Sequence, residues 1–174
     1  MNPVLLILIA LGLIMFFNSD AAGASTPSGG QAPQDFINTW YPVAQLITVA
    51  SYIPAAFQVA QAALESGDGK GKWGASDVVQ NANNYFGIKA DSSWTGDTYK
   101  GYRKYATPHD SWIDHAAFLV TNNRYKQAFT SSAGDDNNFA AYVAQAGYAT
   151  DPDYLKKIVP LIAEVKQLAP AAQA

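Results

Sequence analysis

The stretch that most constrains this chain is residues 53–89, IPAAFQVAQAALESGDGKGKWGASDVVQNANNYFGIK, where an apolar helix ends on a carboxylate and runs into a glycine-dotted loop. Helix propensity is high through AAFQVAQAALE, and Pro54 suits a first turn because its missing N–H is not needed there. Phe57, Ala60 and Leu64 recur at helical spacing and predict one buried face. Gly67 is expected to close the helix in a left-handed conformation. Glu65 then sits in the last turn, where the helix dipole disfavours a negative charge. Partial desolvation at that place raises a carboxyl pKa, which suits a general acid at neutral pH. On local features alone, a solvated glutamate at a helix end is the commoner alternative.

Composition narrows the function classes. A chain of 174 residues suits one domain with a single core. Its net charge of −3 offers no basic field for a polyanion, so no nucleic-acid partner is expected. With no cysteine there are no disulfides and no thiolate metal sites. His109 and His115 lie too far apart in sequence for a one-turn metal pair, so surface or capping roles are expected and no metal or cofactor is implied. The GDGKGKWG run lacks the Gly-Lys-Ser/Thr ending of a phosphate loop. No serine sits in a Gly-x-Ser-x-Gly elbow. The many Tyr, Phe and Trp side chains fit either a sugar-stacking cleft or an aromatic core.

Residues 4–17, VLLILIALGLIMFF, form an uncharged apolar run. It is short of the ~20 residues of a membrane span and within the range of a signal-peptide core. Ala22-Gly23-Ala24 resembles a signal-peptidase site, yet Met1-Asn2-Pro3 carries no positive charge. An uncleaved membrane anchor is favoured over a cleaved signal. Either would place the rest of the chain beside a membrane and outside the cytoplasm, or in a membrane-containing phage virion as a lysin. Residues 21–33, rich in Gly, Pro and small polar residues, read as a flexible tether.

The remainder predicts a mainly helical chain with one β excursion. Pro42 is expected to divide residues 35–50 into two helices. A short helical turn is expected at residues 76–80, an extended segment at 85–89, a turn at 94–98 and a return strand at 99–105. Ser111 with Asp114 resembles a capping box, and Trp112, Ala116 and Leu119 supply an apolar stripe. Further helices are expected at 137–146, stopped by Gly147, and from a Thr150 or Asp151 cap to about Leu168, bent at Pro160. Among the acidic residues, Asp68 and Asp97 lie on glycine-rich turns from which they could face Glu65.

Four motifs occur in order: QAALESG at 61–67, NNYFGIK at 83–89, YRKY at 102–105 and GYATDPDY at 147–154. Together they resemble the glucosaminidase-type peptidoglycan hydrolases of glycoside hydrolase family 73, which include flagellar rod-cap hydrolases and autolysins. The resemblance covers residues 36–168. It implies a lysozyme-like helical domain with a small β-hairpin lobe, an α+β fold that is mainly α. The corresponding division is a hydrophobic segment at 1–20, a linker at 21–34, the domain at 35–169 and a tail at 170–174. It also implies cleavage of the β-1,4 bond between N-acetylglucosamine and N-acetylmuramic acid in peptidoglycan, as an endo-acting glycosidase. Glu65 matches the general acid that protonates the leaving oxygen. Tyr148 matches a tyrosine beside the reacting sugar, and Asn84, Tyr85 and Phe86 match a cleft-lining segment. Trp94 and Tyr105 are further substrate-binding candidates.

Two departures bear on mechanism. The Trp-Gly that usually follows the acid is replaced by Asp68-Gly69 and an insertion. The lobe between Trp94 and Arg103 lacks the family's second glutamate, leaving Asp97 as its acid and a substrate-assisted or water-mediated route open. A lytic transglycosylase, or a wall-binding protein on a degenerate hydrolase scaffold, are the competing readings.

Overall fold

The computed structural model describes residues 25–169. Its order is α1 (Pro33–Ser51), α2 (Ala55–Ser66), α3 (Asp77–Ala82), β1 (Thr98–Tyr99), β2 (Tyr102–Arg103), α4 (Pro108–Thr121), a 3-10 turn (Asn123–Tyr125), α5 (Lys126–Ser131), α6 (Asp136–Gln145) and α7 (Tyr154–Leu168). The mainly helical fold with a two-stranded lobe is the architecture expected from the sequence.

The central element is α2, which packs against α1, α6 and α7. Every residue from Ala56 to Ala63 is buried, not one stripe alone. Four alanines among them keep the helix thin enough to be surrounded. Leu64, expected on the buried stripe, is only partly covered. Because the chain enters α2 through Pro54, no local side chain caps its start. Asp136 does so from α6: its carboxylate accepts the Phe57 N–H at 3.0 Å and pairs with Lys166 of α7 at 2.6 Å. A negative charge at a helix N-terminus also complements the dipole. At the other end Gly67 has φ −70°, extended and not left-handed, and its N–H bonds to the Ala63 carbonyl.

Several sequence expectations are corrected. First, α1 runs unbroken through Pro42. The carbonyl left without a donor belongs to exposed Asn38, where water can satisfy it. Phe36, Ile37, Trp40, Ala44 and Ile47 hold both halves of the helix to one buried face. Second, α4 starts before Ser111: Thr107 is its cap, in a reciprocal capping box with Asp110, and Pro108 opens the first turn. Third, the hairpin turns at Lys100–Gly101, both left-handed (φ 50° and 80°), with Tyr99 opposite Tyr102. Two positive φ values make the tight turn that suits strand twist. The segment at 85–89 contributes only an isolated bridge between Lys89 and Tyr102. The last helix begins at Tyr154, with Pro152 in the turn before it.

Residues 26–31, read from the sequence as part of a flexible tether, lie on the domain. Gln31 and Trp73 exchange backbone hydrogen bonds at 2.8 and 2.9 Å, and Gln80 holds both Pro27 and Gly29. The membrane placement, in a cell envelope or a phage virion, is also corrected. Among the described residues no helix is long and apolar enough to cross a membrane. Even the longest, α1, carries exposed Gln34, Asp35 and Asn38. Residues 4–17, on which that expectation rested, and the tail at 170–174 lie outside the described residues.

Candidate active site

Glu65 stands in the last turn of α2, on the wall of a cleft of about 720 Å³ that runs between the helical body and the β-lobe. Leu64, Phe86, Gly87, Tyr148 and Tyr154 line it with Glu65. The glutamate is open to solvent across the cleft. Protein packed around the base of its side chain nevertheless strips away enough water to raise its pKa above the ordinary carboxyl value, and a hydrogen bond from Gln61 offsets part of that rise. Burial, rather than the helix dipole, is the leading cause.

One helical turn earlier, fully buried Gln61 fixes this carboxyl. Its amide N–H donates to Glu65 Oε1 at 3.0 Å, and its carbonyl oxygen accepts the Tyr154 hydroxyl. An ionised carboxylate can only accept, so the amide N–H faces Glu65 and the carbonyl oxygen is left to take the Tyr154 hydroxyl. Tyr148 stands beside the same group. Burial, and then the Glu65 charge, push its phenol well above the ordinary tyrosine pKa, with Gln61 acting the other way. The Tyr154 phenol is raised too, again by burial first and Glu65 second. Two protonated phenols therefore flank one carboxyl that tends to hold its proton.

Gly87 forms the facing wall. Its φ is +62°, and a Cβ there would lie 3.8 Å from Glu65 Oε2. A glycine thus meets a backbone demand and keeps the space in front of the carboxyl clear. Asn84 sets that wall in place. Buried, it accepts the Ile88 N–H at 3.1 Å and donates to the carbonyls of Ile88 and Arg103 at 3.0 and 2.8 Å. Its side chain is spent on backbone and lies outside the cleft lining. Tyr85 also lies outside it. Fully buried, its ring packs on Phe36, Trp40 and Trp112, its N–H donates to Ser111, and burial raises its phenol pKa to about 12. Phe86 alone of that segment lines the cleft, stacked on His115 with centroids 3.8 Å apart.

His115 is not a surface or capping residue. It is buried and neutral, with its pKa lowered to about 3 by desolvation, and its ring also meets Tyr148 edge-on. His109 sits in the first turn of α4 against Trp40.

The β-lobe is fastened by charge. Nη1 of Arg103 in β2 donates to both carboxylate oxygens of Asp114 in α4 at 3.1 and 2.9 Å, and Tyr105 donates to the same carboxylate at 2.6 Å. Trp94 packs edge-on against Tyr105 and under the Arg103 guanidinium. Trp94 and Tyr105 therefore brace the lobe and do not line the cleft. Asp97 is exposed and outside the lining as well; its backbone carbonyl takes the Trp94 indole N–H and the Lys104 N–H. Asp68 caps its own loop through the N–H groups of Lys70 and Lys72. The carboxylates that do share the cleft with Glu65 are Asp91 and Asp151. Hydrogen bonds from Ser93 hold the Asp91 pKa below its ordinary value, and Lys157 does the same for Asp151.

Residues 41–167 match the family described as mannosyl-glycoprotein endo-β-N-acetylglucosaminidase. The chain belongs to this glucosaminidase family. The resemblance carried by the four motifs is thereby upheld. Among proteins similar to this glucosaminidase domain is the peptidoglycan hydrolase FlgJ of Vibrio parahaemolyticus, 34% identical over 82% of this chain and 51% of that protein. Another is the exo-glucosaminidase LytG of Bacillus subtilis, 32% identical over 74% of this chain and 50% of that protein. The chain spans about half the length of these curated relatives. The peptidoglycan hydrolase structure from Sphingomonas sp. A1 superposes with a TM-score of 0.65 at 31% identity, covering 81% of this chain and 98% of that one. The glycoside hydrolase domain of Salmonella typhimurium FlgJ gives 0.61 at 31%, covering 79% and 91%.

Sequence reasoning placed Glu65, Tyr148 and Phe86 together. Gln61 and Tyr154 lie inside two of the sequence motifs, which assign them no role. The signal was available: a glutamine one turn before a candidate catalytic glutamate lies on the same helix face. Asp91 and Arg124, which also line the cleft, had no such signal.

Proposed function

We propose that this protein hydrolyses the glycan strands of peptidoglycan at the β-1,4 bond between N-acetylglucosamine and N-acetylmuramic acid, with Glu65 as general acid. The observation that carries the reading is the raised pKa of a cleft carboxyl held by Gln61 between two protonated phenols. An upward shift favours the protonated carboxyl that the leaving glycosidic oxygen needs. Tyr148 orients either the sugar N-acetyl group or the incoming water. Asp91 and Asp151 are tied into ion pairs, and Asp97 is outside the lining. The reaction is therefore read as one that needs no second free carboxylate, with the substrate's N-acetyl group as internal nucleophile. Family membership and relatives named as peptidoglycan hydrolases support the substrate class.

Digestion of purified cell walls by wild type and Glu65→Gln, with mass spectrometry of the products, tests this. The expected result is a loss of about 10²–10⁴-fold for the variant and reducing N-acetylglucosamine ends from wild type. Oligomeric products support endo cleavage; released monosaccharide supports exo cleavage of the kind named for LytG. Anhydro-sugar ends would make the protein a lytic transglycosylase. Undiminished cleavage by Glu65→Gln refutes the catalytic assignment. A comparable loss in Asp97→Asn would return the second carboxylate to the lobe.

A further inference from the structure

We propose that Lys89 and Arg124 form a carboxylate-binding subsite of the Glu65 cleft, which takes the acidic groups borne by the muramic-acid units of the glycan. This rests on the peptidoglycan reading and deepens it. The chain as a whole is acidic, at −3, yet its cleft is lined by four cations, Lys89, Arg103, Arg124 and Lys157. Two of these are neutralised within the protein: Arg103 by Asp114 and Asp91, and Lys157 by Asp151. Neither Lys89 nor Arg124 takes part in an ion pair among the described residues.

Both free cations are held on aromatic faces. The Lys89 ammonium stands 3.8 Å from the centroid of the Tyr102 ring in β2. The Arg124 guanidinium lies 4.6 Å from the Tyr125 ring and 5.6 Å from the Phe118 ring. Asn122 fixes the start of the 3-10 turn that carries it by accepting its backbone N–H. An aromatic face restrains a cation while leaving its N–H groups without an acceptor. Lys89 belongs to the segment bridged to the lobe and Arg124 to the helical body, so the two approach the cleft from different elements. A planar guanidinium matches a carboxylate in two-pronged fashion. A glycan of N-acetylglucosamine alone carries no charge and gives these groups nothing to pair with. Muramic acid supplies a carboxylate in one of two ways: through the peptide attached to its lactyl group, or through the free lactyl group when the peptide is absent.

The test measures affinity, so it does not depend on turnover. Wild type, Lys89→Gln, Arg124→Gln and the double variant are titrated with peptide-bearing glycan fragments, with the same fragments stripped of peptide by an amidase, and with an uncharged N-acetylglucosamine oligomer. Lys126→Gln, an exposed cation that does not line the cleft, is the control. Exposed charge pairs contribute modestly, so each single variant is expected to weaken binding about three- to fivefold and the double variant about tenfold. The loss should exceed that for the uncharged oligomer and shrink as salt screens the charges. Loss confined to peptide-bearing glycan assigns the carboxylate to the stem peptide, loss confined to stripped glycan assigns it to the free lactyl group, and loss on both shows that the subsite accepts either. Equal loss on all three ligands, or none, overturns the subsite. Charge-selective binding without cleavage would sink the hydrolase reading and keep the subsite, whereas cleavage indifferent to these cations would do the reverse.

Discussion

Replacing Gln61 by leucine probes how the cleft sets the proton on Glu65. Gln61 is fully buried and spends its amide on two partners, the Glu65 carboxyl and the Tyr154 hydroxyl. Leucine fills nearly the same space and satisfies neither. Tyr154 is buried, so its hydroxyl is stranded, at a cost of about 1–3 kcal/mol. Glu65 can turn to cleft water and adds little. A net loss of about 2 kcal/mol corresponds to a fall of roughly 6 °C in Tm for a domain of this size. The double variant Gln61→Leu/Tyr154→Phe removes both members of the buried pair and should recover most of that loss, because an apolar replacement of both partners is nearly neutral.

The chemical consequence has a definite sign. The Gln61 N–H stabilises the charged carboxylate, so its removal favours the protonated form and moves the Glu65 pKa further up. A general acid works only while protonated, so the alkaline limb of kcat/KM shifts to higher pH in both variants. Thermal unfolding and a pH series on soluble glycan read the two effects separately. A downward shift of that limb, or a double variant no more stable than Gln61→Leu, would refute the reasoning.

Four further outcomes follow from the same contacts. Glu65→Gln should raise Tm at neutral pH and not in acid: its folded pKa lies above the unfolded value, so stability is lost as pH rises through that window and the amide escapes the loss. His115 works in the opposite sense. Neutral in the fold with a pKa near 3 against 6.5 unfolded, it should make the protein lose stability as pH falls across that interval, and His115→Leu should flatten this dependence in acid-denaturation curves. Asp136→Ala removes the cap supplied to α2 and strands the Phe57 N–H, which should cost about 1–2 kcal/mol in urea unfolding. Asp114→Ala frees Arg103 and Tyr105; with side-chain exposures of 11% and 24% across the ion pair, the loss should be about 2–3 kcal/mol, below that of a fully buried pair.

Local chemistry made part of this legible. Helix α2, its glutamate and the lobe position follow from propensity, spacing and glycine placement, and the four motifs fixed the family. Several of the differences share one physical origin: groups satisfied across the fold rather than along the chain. Ser111 looked like a cap because it precedes an apolar stripe; in the structure it accepts the Tyr85 N–H, and Thr107 caps α4. Asp114 looked like the partner of that cap, yet it anchors the lobe through Arg103. Asn84 and Tyr85 were read as sugar ligands from their motif, whereas their polar atoms are engaged by backbone and by Ser111. Pro42 misled because helix breaking depends on whether the orphaned carbonyl meets water. The stretch at 122–135, which forms the 3-10 turn and α5, carried no strong periodicity.

The other carboxylates around the cleft are engaged within the fold, and Asp114 ties the lobe to the helical body. Asp114 is spent on Arg103 and Tyr105, Asp91 on Arg103 and Ser93, Asp151 on Lys157, and Asp136 on α2. Each is engaged by donors or cations that a catalytic base would have to give up. Glu65 differs in kind. Its one hydrogen-bond donor is an uncharged amide, no cation lies within salt-bridge distance among the described residues, and its neighbours are phenols that stay protonated. Burial without a compensating cation is what raises its pKa and suits it to the general-acid role proposed above.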